Sequence, residues 1–278
     1  MFGIGGILIP ALETHMTTSA PFITEIAGGI ATVTLTRPEI HNAFDDELVA
    51  RLTREFQGLS RDTVVRVVIL ASTGKSFCAG ADVNWMKRMA EFGQEENLED
   101  AKALAGLMFT LASLRKPTIA AIQGSAFGGG VGLVAACDIA VAAEQAEFAL
   151  TEVKLGILPA AVGPYIVSAM GPRQATRYML TGERFGAARA AELGLVTEVT
   201  RQDNVLPRAR EFAGMLMENG PRAMGEVKNL VRYVVGHERN EALMAQTAGH
   251  IARVRASSEG REGLAAFLEK RKPSWIRK

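Results

Sequence analysis

Residues 124–138 read GSAFGGGVGLVAACD: three consecutive glycines, one intervening residue, a fourth glycine, and then an apolar run. Glycine inside a helix costs about 1 kcal/mol relative to alanine, so Gly128, Gly129, Gly130 and Gly132 mark a place that needs bare backbone. The run follows TIAAIQ (118–123), which reads as a buried strand, and continues as a helix. The same order occurs upstream. Val64–Leu70 reads as a strand and opens into STGKSFCAGAD (72–82), again ahead of a helical segment. Repeated strand, glycine turn and helix argue for an α/β fold.

On the N-terminal side, Phe22–Ile26 and Ile30–Leu35 flank Ala27-Gly28-Gly29 and read as a β-hairpin. A helix is expected next, capped by Asn42, with Asp45, Asp46 and Glu47 in its first turn and Phe44, Leu48, Leu52 and Phe56 on one face. Leu104, Leu107, Met108, Leu111 and Leu114 form the face of a second helix. Downstream, CDIAVAA and VTEV (196–199) read as strands and ARAAEL as a helix, and beyond about Asn204 the pattern is helical to the end. The expected division is therefore an extension over 1–15, a core over 16–203 and a helical region over 204–278.

The chain has 278 residues with 48% apolar and 22% charged residues and a net charge of +1. That is an ordinary globular composition, and it offers no global electrostatic attraction to nucleic acid or to an anionic membrane. The basic cluster EKRKPSWIRK at the C-terminus is the one local exception. Cys78 and Cys137 have neither CxxC nor zinc spacing, and His15, His41, His237 and His250 are scattered, so no metal site is expected. A reduced, cytoplasmic protein is the simplest expectation. The apolar run in MFGIGGILIPALETHMTTSAPF lacks a preceding Lys or Arg and is too short to span a bilayer.

Two chemistries suit the glycine turns. Gly130-Val131-Gly132-Leu133-Val134-Ala135 has the GxGxxA form of a dinucleotide site, but Ser125, Ala126 and Phe127 separate it from the strand, and the strand is late in the chain. The alternative is an oxyanion hole, in which an N–H from each of two turns holds an oxygen that becomes negative during reaction. FCAGAD and FGGGVG supply two such turns. Tight backbone packing accounts for any single glycine, and less readily for the pair.

The motifs LTRPEIHNAF (35–44), SFCAGAD (76–82), KPTIAAIQGSAFGGG (116–130), ACDIAVAA (136–143), LTEVKLGILPA (150–160) and EGREGLAAFLEKRKPSW (259–275) occur in this order. In them the chain resembles the enoyl-CoA hydratase/isomerase, or crotonase, superfamily from about Phe22 to Trp275. The resemblance implies a spiral of ββα turns with C-terminal helices that assemble trimers or hexamers. It implies an acyl-CoA thioester as substrate, with coenzyme A part of that substrate and no separate cofactor. The thioester oxygen would lie on the N–H groups of Ala81 and Gly129, with Gly128 giving room, and Glu152 would be the catalytic acid/base. Ala79, Asp82, Val83 and Asn84 match positions along the CoA path, although many relatives carry lysine at Asn84. Phe267 and Lys270 match positions that hold CoA, often in a neighbouring subunit.

Gly132 stands where two-acid hydratases carry their other carboxylate. Its bareness is expected to open space for a substituent on the substrate's β carbon. AGADVNWMKRM, AFGGGVGLVAACDIAVA and LTEVKLGILPAAVGPYIV resemble members acting on 3-methylglutaconyl-CoA or isohexenylglutaconyl-CoA, which favours a hydratase of a branched 2-enoyl-CoA. A one-glutamate double-bond isomerase and a non-catalytic acyl-CoA- or RNA-binding protein are the alternatives. Retention of Glu152 and of the glycines argues against the last. Cys78 is expected to be a packed residue, His41 part of the approach to the first helix, and Asp138 a structural hydrogen-bonding residue.

Overall fold

The computed structural model describes residues 20–276. The expected extension at 1–15 lies outside the described residues. Six strands form the larger sheet: β1 (Phe22–Ala27), β2 (Ile30–Leu35), β3 (Val67–Ser72), β5 (Thr118–Ile122), β7 (Ile139–Ala143) and β10 (Glu198–Thr200). They lie in that spatial order. β1 and β2 are the antiparallel hairpin, with Phe22 opposite Leu35, and the remaining neighbours pair in parallel. Four short strands, β4 (Ser76–Cys78), β6 (Ser125–Phe127), β8 (Glu147–Ala149) and β9 (Phe185–Gly186), make a second sheet.

The spiral follows from how these strands alternate. β3, β5 and β7 each lead within a few residues to β4, β6 and β8, so each turn of chain contributes one strand to each sheet before its helix. The helices of the core are α1 (Asp46–Arg61), α2 (Val83–Met89), α3 (Gln94–Ser113), α4 (Gly129–Ala136), α5 (Gly163–Thr181) and α6 (Ala187–Glu192). Four more, α7 (Val205–Met217), α8 (Pro221–Val235), α9 (Glu241–Ala256) and α10 (Ser258–Leu268), complete the chain.

Burial follows the two-residue period of a strand. Val68, Leu70, Ala120, Ile122, Ala140 and Ala142 face the main core with Leu48, Leu52 and Phe56 of α1 and Leu107, Met108 and Leu111 of α3. Val67, Ile69, Ala71, Ile119, Ala121, Val141 and Ala143 face the other way, onto Val205, Ala209 and Ala213 of α7. The helical stretch after 204 therefore begins as a layer of the core, and both faces of the parallel strands are covered, which is why they read as unbroken apolar runs. α4 is apolar on every side because it is buried on every side.

The first helix departs from expectation. Its cap is Asp45, whose side chain accepts from the Leu48 N–H at 2.7 Å. Asn42 is buried in a left-handed conformation (φ 54°). Its amide ties two loops together, accepting from Arg37 N–H and donating to the carbonyls of Thr73 and Ser76. Phe44 precedes the helix and is extended.

Asp138 is structural, as expected. One of its oxygens, Oδ2, accepts from the Thr118 N–H (2.7 Å), the Thr118 hydroxyl (2.9 Å) and Lys228 Nζ of α8 (2.6 Å). It thereby binds the start of β5 to a C-terminal helix. Asp138→Ala strands these donors, and is expected to lower the unfolding free energy by about 2–3 kcal/mol, measured by denaturant titration.

Candidate active site

The two glycine turns meet back to back at the ends of β4 and β6, which pair in parallel with Cys78 beside Ala126. Gly80 takes φ +87°, and a Cβ there would stand 3.0 Å from the Phe127 carbonyl oxygen. A Cβ on Gly130 would run into the Cys78 carbonyl and stand 2.9 Å from Cys78 Cβ. The bare backbone in GSAFGGGVG is thus used first to let the chain approach itself.

Phe44 ties both turns. Its N–H donates to the Gly80 carbonyl and its own carbonyl accepts from the Asp82 N–H, each at 2.7 Å, forming a parallel bridge with Ala81. Since Phe44 makes both bonds of that bridge, the Ala81 N–H points to the opposite side. The buried Phe44 ring lies against Gly129, where a Cβ would be 2.7 Å from Phe44 Cε2. Among the described residues neither the Ala81 N–H nor the Gly129 N–H donates a backbone hydrogen bond. Gly129 opens α4, whose first N–H groups have no intrahelical acceptor and lie at the positive end of the helix dipole.

Glu152 begins the 3₁₀ turn Glu152–Leu155 that follows β8. Its Oε1 lies 3.2 Å from where a Cβ on Gly128 would be, and Gly128 adopts φ +50°, so only glycine suits this corner. Glu152 Oε2 is buried and has no hydrogen-bond partner among the described residues. Burial raises the Glu152 pKa above its ordinary value, against a smaller opposing contribution from its own backbone N–H. A carboxyl of this kind, beside two free N–H donors, can exchange a proton with a carbon adjacent to a carbonyl held on those donors.

Gly132 needs correcting. It does not open space. A Cβ there would run into Val162 Cγ1, stand 2.8 Å from Val162 Cβ and lie 3.4 Å from Met108 Cε. Residue 132 is glycine because Val162 already fills the place. The other expected positions divide. Ala79 is held by its N–H on the His41 carbonyl at 3.0 Å, and Val83 and Asn84 are exposed at the start of α2, all close to the Ala81 turn. Asp82 spends its carboxylate as the cap of α2, accepting from the Asn84 and Trp85 N–H groups.

Phe267 and Lys270 are not brought to this site within one chain. Glu259 of α10 accepts from the Arg222 and Ala223 N–H groups, and Trp275 beside Gly263 is held by Arg66 and the Glu218 carbonyl. Arg66 immediately precedes β3, whereas the glycine turns lie beyond its far end. Six strand residues, about 20 Å, separate the two.

Cys78 is a packed residue, its thiol pushed up to about 12 by burial. His41 Nδ1 lies 3.1 Å from the Ser76 hydroxyl, in the loop before α1. Among the described residues no three His, Cys, Asp or Glu side chains converge as a metal site, and no helix is long and apolar enough to cross a membrane. Sequence reading missed Val162 altogether and assigned Phe44 to a helix face. The 3.6-residue spacing from Phe44 to Phe56 continued into the extended segment by coincidence.

Comparison with known proteins identifies the family and the fold. The family model described as enoyl-CoA hydratase/isomerase matches residues 25–278. An Escherichia coli 2,3-dehydroadipyl-CoA hydratase is 33% identical over 87% of this chain and 93% of its own length. The mevalonyl-coenzyme A hydratase sidH of Aspergillus fumigatus is 34% identical over 95% and 97% respectively. The crystal structure of an enoyl-CoA hydratase from Shewanella pealeana superposes with a TM-score of 0.90 at 42% identity, covering 92% of this chain and 96% of that one. The chain belongs to the enoyl-CoA hydratase/isomerase family, and its α/β spiral with C-terminal helices is the crotonase fold.

The raised Glu152 pKa has a consequence for stability. The folded state binds this proton more tightly than the unfolded state does. The contribution therefore favours folding below the unfolded pKa and is lost as pH rises through the folded one. At neutral pH the buried charge is a cost. Glu152→Gln is expected to melt at a higher temperature than the parent at pH 7, with the difference shrinking below about pH 4, as read by thermal unfolding at both pH values.

Proposed function

We propose that this chain hydrates a short 2-enoyl-CoA thioester, branched at the β carbon in the manner of 3-methylglutaconyl-CoA. The observation that carries the reading is the placement of Glu152 beside two turns with free N–H groups, at Ala81 and Gly129. In the reaction Glu152 takes a proton from water as the water oxygen bonds to the β carbon. The double-bond electrons shift toward the thioester, and the oxygen becomes an enolate held by the Ala81 and Gly129 N–H groups. Glu152 then returns the proton to the α carbon, so one carboxyl serves as base and acid in turn.

Two relatives support the acyl class. One is named for mevalonyl-CoA, whose β carbon carries a methyl group, and one for dehydroadipyl-CoA, whose acyl group ends in a carboxylate. A site with one carboxyl also suits double-bond migration, which needs no water.

Assembly enters the same reading. α9 buries none of its residues, and Met244, Ile251, Leu264, Phe267 and Leu268 are exposed on α9 and α10. A trimer or hexamer would cover such surface, and would let Phe267 and Lys270 serve the site of a neighbouring copy.

Four measurements test these points. Turnover of 3-methylglutaconyl-CoA in ¹⁸O-water is expected to place the label in a β-hydroxyl product; a 3-enoyl-CoA isomerised rapidly with no labelled product from any branched substrate assigns the chain to isomerisation instead. Glu152→Gln is expected to lower kcat by about 10²–10⁴. The kcat/KM of the parent is expected to fall on the acid side through a pKa above the ordinary Glu value, because protonated Glu152 cannot accept the proton of water. Light scattering is expected to give a trimer or hexamer, and a concentration-independent monomer refutes the assembly.

A further inference from the structure

Beyond the Gly132 contact lies a cavity of about 860 Å³ that the proposed reaction does not use. It is lined by Ala112 of α3, Ala135 and Ala136 of α4 and Tyr165 of α5, is flanked by the Asp138–Lys228 pair, and opens to solvent along α8, where Val227 and Val231 are exposed. Its position relative to Glu152 follows from helix register. Gly128 is the residue before α4, and on α4 Gly132 and Ala136 are four residues apart and share a face. Gly128 meets Glu152, Gly132 meets Val162 and Met108, and Ala136 meets the cavity. The neighbouring helices keep the same step. Ala112 is one turn beyond Met108, and Tyr165, whose N–H donates to the Val162 carbonyl at 3.0 Å, is one turn beyond Val162.

Three layers are therefore stacked along one seam. The proton-transfer group is in the first, a packed partition in the second, and the largely apolar cavity, open on its α8 side, in the third. Four residues of helix rise about 6 Å, so the cavity starts about one such step beyond Gly132. Val162 is 2% exposed, as a side chain packed from both sides should be. An acyl group with its carbonyl on Ala81 and Gly129 and its first carbons beside Glu152 meets this partition next.

We propose that Val162 is the stopper that sets the acyl length of this site, closing the passage from the thioester pocket to the chamber behind it. Gly132 and Val162 are then a matched pair: the glycine exists to seat the valine, and the valine confines the site to short acyl groups. Removing the stopper admits a long, straight acyl chain to the chamber. The inference rests on the acyl-CoA reading of the site but not on hydration.

The test is calorimetric titration of the full chain with butyryl-, octanoyl- and decanoyl-CoA, saturated thioesters that bind without turnover. The parent is expected to gain nothing from the longer chains. Val162→Ala is expected to tighten decanoyl-CoA relative to butyryl-CoA by about tenfold or more, the worth of burying two methylenes. Adding Ala112→Phe, which places a ring in the cavity one turn beyond Met108, where an entering chain would emerge, is expected to cancel that gain. Met108→Ala opens the partition from the α3 side, and gives the same shift should Val162→Ala fail to fold. A parent that already prefers decanoyl-CoA tenfold overturns the proposal, as does an opened variant with the parental ratio. Binding with the expected shift but no hydration overturns the hydratase reading alone; a parent that binds none of the three thioesters overturns both.

Discussion

The site depends on two backbone turns from different ββα units approaching within van der Waals distance. Their N–H groups can serve one oxygen only if the turns are fixed relative to each other, and side chains at the contact would hold them apart. Gly80 faces the Phe127 carbonyl and Gly130 the Cys78 carbonyl. Phe44 then closes the arrangement from outside, its backbone bonded to one turn and its ring against the other. Such donors need no reorganisation when charge develops on a substrate oxygen, which is the main advantage of a preorganised site. The buried amide of Asn42 holds the segment leading to Phe44, so the constraint extends to the loops at 37–44 and 73–76.

Glu152 is a buried carboxyl whose charged form is a cost to folding. Its Oε2 is buried without a hydrogen-bond partner among the described residues. The same desolvation raises its pKa and so brings its two protonation states closer in free energy near neutral pH. The apolar contact of Val162 with Gly132 replaces a charged neighbour by methyl groups. A second carboxylate there would itself have raised the Glu152 pKa by repulsion. Burial takes over that role in a site with one acid.

The C-terminal helices do two different jobs. α7 covers the second face of the larger sheet through Val205, Ala209 and Ala213 and is part of the core. α8 is fastened by the Lys228–Asp138 ion pair and α10 by Glu259 on the first turn of α8. α9 contributes no buried residue, and its apolar side chains are left outward.

The glycine turns, the parallel strands between them and the helical C-terminus were all legible in the sequence, because each leaves a local mark: a composition, a period or a motif. The reasons behind the marks were not. GGGVG announces bare backbone, but only the fold assigns Gly129 to the Phe44 ring, Gly130 to Cys78 and Gly132 to Val162, partners 85, 52 and 30 residues away in sequence. Phe44 read as part of a helix because its spacing suits one, whereas its pairing with Ala81, a contact between distant segments, makes it extended. Gly132 read as an opening because a sequence shows what a residue lacks and not what stands in its place. Side-chain identity is a local property, whereas the occupancy of space is settled by segments that meet only when the chain is folded.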